Sequence, residues 1–145
     1  MYTFLKLMLA IVVSYGAIDS ARADDVPPFS MGIAFGRSGK FVQQDGPTLC
    51  RAICQGCHMP DARGAKGAGE YPALANNPKL AVATFPVARV LRGWLGMPSF
   101  AGNLTDAQIA EVVNYVRSHF DNHYTDQLTA DDVARLRTSA TQPGN

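Results

Sequence analysis

Three cysteines crowd into eight consecutive positions of this 145-residue chain, at 50, 54 and 57, and the last is followed at once by a histidine. An odd number of thiols so close together makes a poor disulfide framework, even for an exported protein. A zinc ribbon would need a second Cys or His pair at suitable spacing, which Cys50, His119 and His123 do not supply. A dithiol redox motif would need a βαβ setting, and no such pattern surrounds the cysteines. Cys54-Gln55-Gly56-Cys57-His58 is instead the Cys-x-x-Cys-His signature of covalent haem attachment. Two cysteines three apart at a helix end each reach one vinyl group on a single macrocycle edge, and the adjacent histidine projects beneath the iron as its proximal ligand.

That chemistry takes place outside the cytoplasm, and the N-terminus agrees. Lys6 supplies a short positive region, Leu7 to Ile18 is mostly apolar, and Ala21-Arg22-Ala23 offers a small-x-small cleavage site. The apolar run is shorter than the roughly 20 residues a bilayer span needs. Residues 1–23 are therefore expected to be a signal peptide, and the protein to be periplasmic with no stable membrane anchor. Removing Lys6, Arg22 and Asp19 takes the formal net charge from +1 to zero. Without a basic stripe, a nucleic-acid partner is not expected.

Residues 24–44 hold Pro27-Pro28, Gly32, Gly36 and Gly39 without sustained periodicity, and read as an extended N-terminal arm. Residues 45–145 are expected to form one domain. A helix is predicted from about Pro47 to Gly56, with Asp45 as N-cap and Leu49, Ile53 and Cys57 at i, i+4, i+8. Residues 58–77 are rich in Gly, Ala and Pro and read as a long ordered loop that needs something to wrap around. Asn77-Pro78 opens a short helix, and Pro86 another that closes at Gly93. The best-signalled helix runs from about Asp106 to Phe120. Thr105 and Gln108 form its capping box, Leu104 and Ile109 its hydrophobic staple, and Ile109, Val112, Val113, Val116 and Phe120 its apolar stripe. A last helix spans Ala130 to Arg137, with Thr129 as N-cap and Asp131 and Asp132 in the first turn. No stretch alternates long enough for a confident strand. The fold expected is all-α, four to five helices with long loops around one haem.

A sixth iron ligand is expected at Met97, in Gly96-Met97-Pro98-Ser99-Phe100, 39 residues after His58. A thioether favours reduced iron, and Pro98 stiffens the loop that would carry it. Met59 is too close to His58 to reach the opposite face, Met31 lies in the arm, and His119 and His123 read as solvated. With these residues in view, the chain resembles class I cytochromes c. The likeness rests on Cys54-Gln55-Gly56-Cys57-His58, Tyr71-Pro72-Ala73-Leu74 and Met97-Pro98-Ser99-Phe100, in that order, and covers roughly Asp45 to Phe120. It implies that the Pro72 carbonyl accepts the Nδ1 proton of His58, that Leu74 packs on the haem, and that the helix from Asp106 crosses the N-terminal helix. A narrower likeness is to cytochrome subunits of periplasmic dehydrogenases. It is carried by Cys57-His58-Met59-Pro60-Asp61, Gly64-Ala65, Gly67-Ala68-Gly69, Val113-Asn114-Tyr115-Val116-Arg117 and Leu128-Thr129-Ala130-Asp131-Asp132-Val133. Cys50 departs from the family pattern and reads as a small buried hydrophobe.

The function expected is electron transfer by one haem c, bound covalently through Cys54 and Cys57 and ligated by His58 and Met97, with no substrate-bond catalysis. A dehydrogenase would be the donor, and an oxidase or another cytochrome the acceptor. Phe41, Leu49, Ile53, Leu74, Val90, Leu91, Trp94, Phe100, Val113 and Val116 are the expected apolar shell, which lowers the dielectric around the iron. Arg92 and Trp94 are placed within reach of a haem propionate. Two other readings stay open: an open-iron enzyme or gas binder, and a module in which haem only stabilises the fold.

Overall fold

The computed structural model describes residues 39–141. The expected signal peptide, residues 1–23, and the expected arm up to residue 38 lie outside the described residues. The chain enters the first helix at Asp45, whose carboxylate accepts the Thr48 amide at 2.9 Å, and Pro47 sits in the first turn, where its missing N–H costs nothing. Helix α1, Gly46–Leu49, runs directly into a π-helical stretch, Cys50–Cys54, and then into α2, Gln55–His58. The wide turn is closed by the Gln55 amide on the Cys50 carbonyl, five residues back.

That turn changes the predicted face. Leu49 is fully buried and Ile53 partly so, but Cys57 is exposed. An i, i+4, i+8 stripe assumes a constant α period, and a π turn breaks that phase.

Residues 58–77 form the expected loop, with one addition. Two short strands, β1 (Ala65–Lys66) and β2 (Glu70–Tyr71), pair antiparallel with Ala65 opposite Tyr71. Two residues a side leave no room for an alternation to be seen in the sequence. Asn77 then caps a 3-10 turn, Pro78–Ala81, by accepting the Lys79 amide at 3.0 Å. Helix α3, Thr84–Arg92, starts two residues before the predicted Pro86. A proline in the first turn sacrifices no intrahelical bond, so it does not fix the starting residue. Gly93, at φ +72°, ends α3 as expected.

Helix α4, Asp106–Ser118, carries the full capping box: Gln108 Oε1 accepts the Thr105 amide at 2.9 Å and Thr105 Oγ1 accepts the Gln108 amide at 3.2 Å. It stops two residues short of Phe120, because Phe120 and Asp121 both take positive φ. Helix α5, Ala130–Thr141, continues past Arg137 and opens with a second reciprocal cap between Thr129 and Asp132. Helix α4 is central: α1, α3 and α5 all pack on it, and α3 also meets α5. Its stripe of Ile109, Val112, Val113 and Val116 joins Leu49, Leu80, Val87, Leu91, Leu104 and Val133 in one buried cluster.

The crossing of α1 on α4 depends on Gly46. A Cβ there would lie 2.5 Å from the Glu111 carbonyl oxygen and 2.6 Å from Tyr115 Cβ. Residues 39–44 fold back on the domain. Phe41 is buried, Asn103 Nδ2 donates to the Gly39 carbonyl, and Gln108 Nε2 donates to the carbonyls of Phe41 and Gln43.

Candidate cofactor-attachment site

The end of α2 presents the motif. Cys54 is half-buried against the core, Cys57 is exposed, His58 is the last helical residue, and none of the three cysteines is in a disulfide. Met59 follows at φ +66°, ψ 158°, a conformation that non-glycine residues rarely adopt, so the chain reverses immediately after His58. The reversal is braced from several sides. The Gly64 amide donates to the His58 carbonyl at 3.0 Å, and the buried Ala62 carbonyl accepts the amides of Leu74 and Ala75. Gly64 has φ +70° and lies against the backbone of Tyr71, Pro72 and Ala73, leaving no space for a Cβ.

This bracing sets the histidine. Its Nδ1 lies 2.8 Å from the Pro72 carbonyl oxygen. A carbonyl only accepts, so Nδ1 carries the proton, and in the neutral ring Nε2 holds the lone pair. Leu74, also half-buried against the core, is held in turn by Asn122. Asn122 Nδ2 donates to the carbonyls of Leu74 and Val116 at 2.9 Å, and its Oδ1 accepts the Asn77 amide at 2.9 Å.

Met97 stands in a second braced segment. The amides and carbonyls of Trp94 and Met97 exchange two hydrogen bonds of 2.9 Å, which closes a tight turn. Gly93 lies beneath that turn: a Cβ on it would fall 2.5 Å from the Met97 carbonyl oxygen. Ser99 Oγ donates to the Leu91 carbonyl at 2.6 Å and the Phe100 amide to that of Val90, tying the loop back to α3. The Met97 side chain is half-exposed and its neighbour Leu95 is 92% exposed.

Nine of the ten residues expected in the apolar shell are buried or partly buried. Trp94 is the exception, at 59% exposure, and its ring lies under the Arg89 guanidinium, 4.1 Å from Cζ to centroid. Arg92 is exposed, as are His119 and His123. Cys50 is buried, as its reading required, but it is more than a hydrophobe. The closeness of its thiol to that of Cys54 pushes Cys54 well above the usual thiol range, with burial adding to the effect, and draws Cys50 down.

The positioning residues that sequence reasoning missed are Asn122 and Arg117. Both are polar side chains buried beside positive-φ or irregular backbone, and neither interrupts an apolar pattern that would flag it. The Arg117 side chain is 1% exposed and reaches the carbonyls of Leu80, Ala81 and Asp126 and the Asp126 carboxylate.

The donor set fits a covalently held haem: two uncrosslinked thiols three residues apart, an imidazole with Nε2 free, and a thioether on a separately anchored loop. Among the described residues, no three His, Cys, Asp or Glu side chains converge as a metal cluster. No helix among them is long and apolar enough to cross a membrane.

Comparison with known proteins points the same way. The family model described as Cytochrome C oxidase, cbb3-type, subunit III matches residues 42–116, just over half of the chain. The fructose dehydrogenase cytochrome subunit of Gluconobacter japonicus is 34% identical over 68% of this chain and 23% of its own length. The gluconate 2-dehydrogenase cytochrome c subunit of Pantoea cypripedii is 31% identical over 68% of this chain and 25% of its own. The cytochrome c subunit of the quinone-dependent alcohol dehydrogenase of Gluconobacter oxydans is 30% identical over 59% and 20%. The chain thus spans about a quarter of the length of the curated relatives it matches.

Proposed function

The chain belongs to the cytochrome c family matched by the cbb3-type subunit III model, and on that premise we propose that it is a periplasmic single-haem electron carrier serving a dehydrogenase. The class I fold and a carrier role, with no bond-making chemistry, come with the family. The single haem, its attachment through Cys54 and Cys57, and its ligation by His58 and Met97 are our reading of the site. Haem c, when bound, supplies an iron that takes up and releases one electron.

The observation that carries this reading is the 2.8 Å contact between His58 Nδ1 and the Pro72 carbonyl. It holds the tautomer that leaves Nε2 as a ligand and raises the basicity of that nitrogen. Cys54 and Cys57 would hold the haem covalently. Met97, on its anchored turn, would supply a soft thioether donor and so leave no open position for a substrate. Leu49, Leu74, Leu91, Val113 and Val116 keep water away and lower the local dielectric. The donor is a dehydrogenase of the kind named for the relatives, and the acceptor an oxidase or another cytochrome. Contact with them is of the small, transient type usual for redox partners.

The test is an optical spectrum of the exported protein, oxidised and then reduced, with carbon monoxide added last. A low-spin spectrum unmoved by carbon monoxide is expected. Met97→Ala should lower the reduction potential and admit carbon monoxide. A wild-type spectrum that shifts with carbon monoxide would replace the carrier reading with an open-iron enzyme or sensor.

A further inference from the structure

Every carbonyl of residues 101–104, the turn that follows the Met97 loop, is taken by a donor remote in sequence. Arg137 Nη1 donates to the Ala101 carbonyl at 2.6 Å and its Nη2 to that of Leu104 at 3.1 Å. Lys40 Nζ donates to the Gly102 carbonyl at 2.5 Å, and the Phe41 amide to that of Asn103 at 3.4 Å. Lys40, Phe41 and Arg137 all lie outside residues 42–116, so the clamp is built from segments beyond the matched cytochrome domain.

Arg137 is the central member of this clamp. Its Nε meets the Asp106 carboxylate at 2.7 Å, so one planar fork joins the first residue of α4 to both ends of the turn. The two side chains are only 26% and 30% exposed, which favours them over the exposed Lys40 contact. Helix α5 is itself seated by Val133, fully buried where α5 packs on α3 and α4. Ala101 carries the hold back toward Met97. Its amide donates to Ser99 Oγ at 3.3 Å, and that hydroxyl donates to the Leu91 carbonyl at 2.6 Å. Pro98, with its locked φ, stands between Ser99 and Met97.

We propose that Arg137 is a positioning residue for Met97: its fork holds the 101–104 turn closed, and the sulfur leaves its place only when that turn lifts. The proposal rests on the reading above that Met97 is the second iron ligand. A contact shifts the balance between a closed and an open loop only by as much as it differs between them. The Asp106 pair joins α5 to α4 and survives in both. The bonds to Ala101 and Leu104 exist in the closed loop and give way to water in the open one, so they set the balance.

The test uses the haem-loaded full chain, with imidazole as the probe that competes with the thioether for oxidised iron. Amide hydrogen exchange at Phe100, Asn103 and Leu104, all hydrogen-bonded in the closed loop, is followed beside it. Arg137→Gln should bind imidazole about tenfold more tightly than wild type, the equivalent of one charge-assisted hydrogen bond. It should also speed exchange at the three amides. Arg137→Lys keeps the pair with Asp106 but offers one nitrogen in place of the fork. It should recover most of the urea midpoint lost in Arg137→Gln while imidazole affinity stays raised. Gly46→Ala loosens the α1–α4 crossing without touching the turn, and serves as the stability control with wild-type imidazole affinity. Imidazole affinity in Arg137→Gln no higher than in Gly46→Ala overturns the proposal, and so does a lysine variant that restores affinity and stability together. A wild-type spectrum without a sulfur-to-iron charge-transfer band sinks the Met97 reading, and the proposal with it. The band present, with exchange and affinity unchanged in Arg137→Gln, sinks the proposal alone.

Discussion

At the scale of single residues, the segments that carry His58 and Met97 are shaped by backbone that side chains normally avoid. Gly93 is the sharper case, with φ +72° and the Met97 carbonyl where a Cβ would go. Gly93→Ala meets both the left-handed penalty and a clash with backbone that has no rotamer to give. A loss of about 2–3 kcal/mol is expected. Urea unfolding followed by helical circular dichroism measures it, and an unchanged midpoint would mean that the loop rearranges freely. Met59 shows the converse: a bulky residue holds φ +66° because Gly64, Ala62 and Pro72 brace the turn around it. Backbone strain beside a proposed ligand is where sequence rules are expected to fail, and no pattern in the residues announces it.

At the scale of elements, end signals proved more legible than phases. Asp45, Asn77, Thr105 and Thr129 all cap as their residue types suggest. Thr105→Ala removes the side-chain acceptor for the Gln108 amide and should cost about 1 kcal/mol of stability. A shift in the denaturation midpoint at constant slope would check it; no shift would mean that the Gln108 bonds to Phe41 and Gln43 suffice to hold α4. The phase of the first helix was not legible, because one π turn at Cys50–Cys54 rotates everything after it. Such a turn is set by how α1 must seat on α4 while still presenting the motif, which are demands made by distant residues.

At the scale of the whole molecule, α4 is the element on which the rest assembles, and Gly46 sets how closely α1 approaches it. Gly46→Ala should destabilise by about 1–3 kcal/mol, since the Glu111 carbonyl and Tyr115 Cβ would both be overlapped. A wild-type thermal midpoint for this variant would show the crossing to be looser than its geometry. The Arg117–Asp126 pair fastens the segment leading into α5 to the turn before α3. The Arg117 guanidinium beside Asp126 holds its carboxyl below the usual carboxylate range. A depressed folded-state pKa stabilises above the ordinary carboxylate pKa, and that contribution is lost as pH falls through the folded value. Asp126→Asn should therefore have a lower melting temperature than wild type near neutral pH, and the two should converge in acid below the ordinary carboxylate range. A gap that persists unchanged into acid would assign the effect to the carbonyl contacts of Arg117 instead.

The Cys-x-x-Cys-His pentapeptide, the all-α class, the capped helix ends and the apolar stripe of α4 follow from the chain alone, because each depends on residues close in sequence or on one helical period. The Pro72 carbonyl opposite His58 was implied by resemblance, and only the folded loop puts the two 2.8 Å apart. The π turn, the Cys50–Cys54 contact, the exposed Trp94 and the roles of Asn122 and Arg117 required the tertiary structure. Each is decided by groups far apart in sequence competing for the same space and the same carbonyls, and that competition exists only once the helices have packed.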